Sequence, residues 1–369
     1  MRKLHVATRK GLFVLDRRGG TRPGWRISKV HFLGDPVSIV LPDPRDDAVY
    51  AGLDLGHFGC KLRRLDPGAR KWKEMGVPTY PEKPSAQEIG WDDPTPWSLM
   101  KLWALESGGP DADGRLWAGT IPGGLFRSDD RGKSWELVRG LWNRPEREQA
   151  FGGGADHPAL HSVCIDPRNS ETLRVAISCG GVWTSRDLGT TWALTARGMR
   201  AAYLPPEQAY AEASQDPHMM VQCAAAPDTL WVQHHNGIFR SSDGARTWTE
   251  IEDVQPSSFG FAVAVHPKDP DTAWFVPAVK DECRVPVKGH MCVTRTRDGG
   301  RTFEQLRNGL PQRQCYDLVY RHAIDVTPDG DTLAIASTTG GLWITEDGGD
   351  TWKAASVHLP PVYALRFGA

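Results

Sequence analysis

The chain has 369 residues, long for an average domain but within reach of a closed all-β ring built as one unit. With 44 Lys and Arg against 45 Asp and Glu, and no Lys/Arg run, it offers neither nucleic acid nor an anionic membrane a basic surface. No segment approaches the roughly 18 apolar residues of a membrane-spanning helix. The opening apolar stretches, 4–7 and 12–15, are short and interrupted by Arg9 and Lys10, unlike an export signal. Seven scattered Cys without a C-x-x-C pair argue against zinc fingers and disulfide frameworks, so a cytoplasmic protein with reduced thiols is expected.

The elements repeat along the chain. LHVAT (4–8) reads as a second strand, and VSIVLPDP (37–44) followed by AVYAGL (48–53) as a first and second strand. RLWAGT (115–120) and GGLFRS (123–128) read as a second and a third strand, and HSVCIDP (161–167) and GGVWTS (180–185) as a first and a third. TLWVQH (229–234) with NGIFRS (236–241), FAVAVHP (261–267), and HAIDVTP (322–328) with TLAIAS (332–337) and GGLWIT (340–345) continue the series. Short runs rich in Val, Ile and Trp, bounded by turn residues, are strand signals.

Between third and fourth strands stands an octet, Ser/Thr-x-Asp-x-Gly-x-Ser/Thr-aromatic. It occurs as SDDRGKSW (128–135), SRDLGTTW (185–192), TRDGGRTF (296–303) and TEDGGDTW (345–352), with SSDGARTW (241–248) carrying Ala245 for glycine. GARKW (68–72) and the pair Asp16 and Trp25 are worn copies. The closing aromatics at 25, 72, 135, 192, 248, 303 and 352 lie 47 to 63 residues apart, the length of one four-stranded blade. The spacing predicts an all-β, seven-bladed propeller over residues 1–369, whose last strand (362–367) completes the blade begun by 4–8 and removes an open edge. The octet acids Asp187, Asp243, Asp298 and Asp347 read as turn-makers, because seven equivalent turns cannot all be catalytic.

These octets resemble the Asp-box (BNR) repeat superfamily, and the chain is most similar to soluble bacterial single-propeller proteins described as sialidase-like or BNR-repeat glycosyl hydrolases. The resemblance implies the fold; activity in such proteins sits on grafted loops. Sialidases resemble one another in six blades, an early Phe/Tyr-Arg-Ile-Pro motif, an arginine triad and a Tyr/Glu pair. Here seven units are present, and the nearest motif, Cys283-Arg284-Val285-Pro286, falls in the sixth, so no sialidase residue carries over.

Chemistry is therefore sought at the face opposite the octets. Three inter-blade loops are long (74–96, 136–160 and 193–217, the last with a helix start at Pro206-Glu207), and 279–290 enlarges a loop of the sixth blade. Ten of the twelve His fall in mouth loops or the strand starts beside them, which marks that face as the candidate site. The binding candidates are His57, His161, His218, His234, His235, His322, Arg9 and Arg321, with His57, His161, His218, His234 and His322 expected to face one central cavity. His161, His218 and His234, from adjoining blades, are the candidate ligands for a divalent transition metal. Acids including Asp54, Asp92, Asp93, Asp281 and Glu282, with Trp91 and Trp97, suit a polar, anionic or sugar-like ligand. Two functions are expected to compete: a hydrolase or lyase acting on such a small molecule at a His-rich mouth, and a non-catalytic platform for a ligand or a protein partner on that face. No nucleic-acid or membrane partner is expected, and no catalytic residue is assigned.

Overall fold

In the computed structural model, which describes residues 3–20, 23–152 and 156–368, seven four-stranded antiparallel sheets form a ring. Blade one is made by both ends of the chain, in the order Val362–Gly368, Lys3–Thr8, Gly11–Arg18, Gly24–His31. Blades two to seven follow in sequence, each beginning with its innermost strand: Val37–Pro42, Lys101–Ser107, Ala159–Ile165, Pro217–Gln222, Gly260–His266 and Ile324–Val326. These first strands neighbour one another around a central channel. The ring closes as its sequence predicts. No helix among the described residues is long and apolar enough to cross a membrane.

The second strands carry the largest buried side chains, with Trp117, Trp231 and Trp274 wedged into the layers between blades. Five octets build the same turn. In each, the Asp carboxylate accepts the backbone N–H four residues on at 2.9–3.0 Å, and the hydroxyl of that same Ser or Thr. The leading Ser or Thr hydroxyl accepts the N–H of the fifth octet residue at 2.8–3.0 Å. That fifth residue has positive φ, which glycine adopts without steric cost; Ala245 adopts it too, at φ 69°. The first blade's worn turn lies partly outside the described residues.

The opposite end is shaped by bulges. An extra residue interrupts the first-strand register at the mouth in six blades: at Ser38, Trp103, His161, His218, Phe261-Ala262 and Tyr363. His322 holds the matching place just before the seventh blade's strand Ile324–Val326. A bulge bends the strand and re-aims a side chain, and most of this set faces the channel.

The long loops pack on the ring. The turn 205–210 is not helical; the third loop instead carries a short 3-10 turn, Glu212–Ser214. Pro205 and Pro206 supply fixed φ, but the following residues bond three back only as isolated turns. The first two loops are tied together by Arg147, which pairs with buried Asp93 at 2.8 Å and stacks on Trp97 and Trp142.

Candidate functional site

The mouth opens into a cup of about 670 Å³. The floor is made by residues reaching across the ring. His322 of blade seven donates Nε2–H to the His161 carbonyl of blade four at 2.7 Å, and Trp103 packs edge-on to both rings. Arg321 lies 4.7 Å over Trp103 and 5.3 Å from the Phe261 ring, reaching Ser178 of blade four at 3.4 Å. Its Nε has no partner, and among the described residues no carboxylate lies within 4 Å of it. Burial lowers the guanidinium to about 10.

One wall belongs to blade five. Asp216 precedes the first strand, His218 is its bulged residue, and His235 sits in the turn opposite, where its N–H bonds the Asp216 carbonyl. Asp216 Oδ2 lies 3.5 Å from His218 Nε2 and 3.3 Å from His235 Nδ1, while Oδ1 accepts the Cys179 N–H at 3.1 Å. Burial alone would raise this carboxyl; the facing imidazoles outweigh it and hold Asp216 well below the usual carboxylate range. Burial lowers the His218 imidazole despite Asp216, and pushes the Cys179 thiol up, so neither an imidazolium nor a thiolate is favoured there at neutral pH. His218 stacks on Phe261 with ring centroids 4.4 Å apart. Across the cup, Arg284 pairs with Asp281 at 2.5 Å, and Tyr203, Tyr320, Tyr363 and Lys101 complete the rim.

Of the sequence candidates, His218, His235, His322 and Arg321 line this cup. The remaining four do not, and the five-imidazole cavity is not formed. His57 is exposed on a 3-10 turn, Gly56–Phe58, and Arg9 on a turn outside the lining. His161 lies below the floor with both ring nitrogens used: Nε2–H donates to the Pro217 carbonyl at 2.7 Å and Nδ1 accepts from Ser162. His234 is wholly buried, its Nε2 accepting the Asp216 N–H at 3.1 Å. The grouping His161, His218, His234 is thereby corrected: two of the three have no lone pair left for a metal. Trp97 and Asp93 hold loops together rather than a ligand. Asp216, Trp103, Phe261, Tyr203 and Tyr320 were not singled out from sequence; Trp103 and Phe261 share the bulge position of His161, six residues before the proline in the better-formed first-strand runs.

Below the floor, a second opening of about 350 Å³ holds Glu106, Asp325 and Arg366. Arg366 reaches Glu106 at 3.2 Å, and enclosure pushes both carboxyls above their ordinary values.

A sequence profile described as BNR-Asp box repeat matches residues 125–138, the third blade's octet and its flanks. The chain is 25% identical over 244 residues to a xyloglucanase of Paenibacillus sp, covering 60% of this chain and 21% of that protein. It thus spans about a fifth of that relative's length. Among solved structures, an ancestral GH74 enzyme superimposes with TM-score 0.56 at 15% identity, over 90% of this chain and 38% of that one. A YCF48 structure bound to D1 peptide superimposes with TM-score 0.51 at 12% identity, over 86% and 80%. At these identities the likeness is one of fold.

Proposed function

We propose that this chain, an Asp-box propeller by its repeats and its ring, is a lyase acting on a small anionic sugar-like molecule held in the cup. The observation that carries the reading is Arg321. A guanidinium enclosed between two aromatic rings, with Asp216 as its nearest anionic influence but no carboxylate within 4 Å among the described residues, is costly to bury, and a ligand carboxylate meeting its fork would offset that cost with two charge-assisted bonds. The aromatic walls suit a sugar ring.

Elimination fits the cup better than acid-assisted glycoside hydrolysis. Hydrolysis of a glycoside needs a carboxyl kept protonated to donate to the leaving oxygen. Of the cup's three carboxyls, Asp281 is paired with Arg284, while Asp216 and Glu282 are held below their ordinary values, Asp216 by the facing imidazoles against the pull of burial, Glu282 by a bond from its own backbone and by Lys280. In an elimination, a water-derived base held at the wall formed by Asp216, His218 and His235 takes the proton α to the ligand's carboxylate. The freed electron pair forms the double bond, the neighbouring carbon–oxygen bond breaks with its electron pair leaving on the oxygen, which takes a proton from solvent at the open mouth, and Arg321 and Arg284 stabilise the intermediate charge. The sugar class is also favoured by the xyloglucanase likeness.

Uronic-acid oligosaccharides should give a rising ultraviolet absorbance from the conjugated product, whereas neutral xyloglucan oligosaccharides should give none. Reducing-end release from neutral sugars without that absorbance would replace this reading with hydrolysis. A second reading, a platform for a protein partner, is favoured by the fold shared with a peptide-bound YCF48; peptide binding at the mouth with no turnover of any sugar would establish it. All seven thiols are free and five are buried, in keeping with a cytoplasmic setting.

A further inference from the structure

Asp216, His218 and His235 are the one trio among the described residues whose His, Cys or carboxylate donor atoms all lie within 4.8 Å of one another. Their hydrogen bonds make that closeness informative. His218 Nδ1 is 2.7 Å from the Gly260 carbonyl, which can only accept, so Nδ1 carries the proton. In the neutral ring, Nε2 then turns a lone pair toward Asp216 Oδ2 at 3.5 Å, a contact that becomes attractive only with a second proton or a cation between the two atoms, and His235 Nδ1 faces the same oxygen at 3.3 Å. Direct charge-assisted bonds would draw such atoms to roughly 2.7–2.9 Å. Two ligand atoms each about 2.1 Å from a tetrahedral cation stand about 3.4 Å apart. The observed separations match the second arrangement.

The outer contacts are also those of a ligand set. A metal-binding imidazole usually donates its other N–H to a carbonyl, as His218 does, and ligating carboxylates are themselves hydrogen-bonded, as Asp216 Oδ1 is to the Cys179 N–H. Cys179 presents that N–H from φ 50°, a conformation non-glycine residues seldom adopt. Tyr203 packs edge-on to His235 at 4.9 Å and anchors its hydroxyl on the Ser214 carbonyl.

We propose that Asp216, His218 and His235 bind one first-row divalent cation, Zn²⁺ or Fe²⁺, with its remaining positions open to the cup. Two imidazoles and one carboxylate are the donor set such ions take, and three protein ligands leave room for water or an anionic group beside Arg321. The site stands on blade five's geometry and holds whatever the cup's ligand is.

The test uses full-length protein without a His tag, stripped with chelator and then dialysed against Zn²⁺ or Co²⁺. Mass spectrometry of the metal content should find about one ion per chain, and Co²⁺ should give visible d–d absorption. His235→Ala and Asp216→Asn should lower affinity at least about 10-fold, whereas His358→Ala, at an exposed position, should change nothing. Asp216→Asn keeps the size of the side chain and the Cys179 contact, so a circular dichroism spectrum like the wild type's separates lost ligation from lost fold. A wild-type protein that retains no ion, or a His235→Ala protein that retains it equally, overturns the proposal. Because no sugar is present, this outcome is independent of the lyase reading.

Discussion

The two faces of the ring are built from the same strands by different rules. At the octet end, five turns repeat one set of bonds between residues no more than four apart, and the acids serve the backbone beside them. At the mouth, the contacts that matter join different blades: Arg321 to Ser178 and His322 to His161 across the ring, Asp216 to Cys179 between neighbours. Repetition makes a scaffold, and departure from repetition makes a site. The bulge position shows this most clearly, since one structural place is filled by Ser, Trp, His, Phe and Tyr.

The sharpest test of the shared scaffold removes the strand on which both faces depend. Deleting residues 362–369 takes the first strand from blade one, exposing the edge of Lys3–Thr8 and removing Tyr363 from the cup rim. Cooperative thermal unfolding should be lost altogether. A truncated protein that still melts in one sharp transition would show that the ring does not need its closure.

Breaking a single octet should cost less. Asp243→Ala removes acceptors for the Thr247 N–H and hydroxyl and for Ser241, and should destabilise by about 2 kcal/mol in urea unfolding. Acid should act on all five turns together. Hydrogen bonds from Thr302 hold the Asp298 carboxyl down at about 2, against 3.8 when free. A carboxyl depressed on folding stabilises fully above its unfolded value and loses that contribution as pH falls through its folded one. The urea midpoint should therefore drop between about pH 4 and pH 2, and a flat midpoint over that range would refute the octet account.

At the mouth the sign should reverse. Arg321→Met removes an enclosed charge whose burial outweighs the pull of Asp216 and which has no carboxylate within 4 Å among the described residues, and puts a flexible apolar chain between Trp103 and Phe261. Stability should rise by about 1 kcal/mol while anionic ligands lose their binding. A variant as unstable as Asp243→Ala would mean that Arg321 serves the scaffold.

Blade number, closure and the role of the octet acids were legible because they rest on local order: a turn residue at a fixed offset, an aromatic at a fixed interval. His218, His235, His322 and Arg321 were reachable by the simpler rule that mouth-side strand starts face the axis. The rule failed for His161 and His234, whose ring nitrogens are taken by the Pro217 carbonyl and the Asp216 N–H, partners fixed by packing between blades or across a strand pair. It missed Asp216 because a lone acid ahead of a strand has no pattern; only the fold sets it against His218 and His235. Trp103 and Phe261 were visible in principle, aligned with His161 at the bulge, but only the histidines near that position were taken as channel lining.

The smallest expected effect lies inside the octet, where one copy departs from the pattern. Ala245 sits at φ 69°, which strains a side chain by about 1–2 kcal/mol relative to glycine. Its methyl is fully buried, worth about 0.8 kcal/mol, and glycine would bring a further loss of about 0.5–1 kcal/mol in chain entropy. The terms nearly cancel, so Ala245→Gly should shift stability by less than about 0.5 kcal/mol. Gly189 holds the same octet position at φ 84°, but a Cβ there meets Val138 Cγ1 at 3.1 Å. Gly189→Ala therefore adds crowding to strain and should cost about 1–2 kcal/mol. If the two substitutions proved equally costly, the octet would be reading more than backbone conformation at this position, and the methyl of Ala245 would be the packing element that fixes the fifth blade's turn against Trp248 and Ala196.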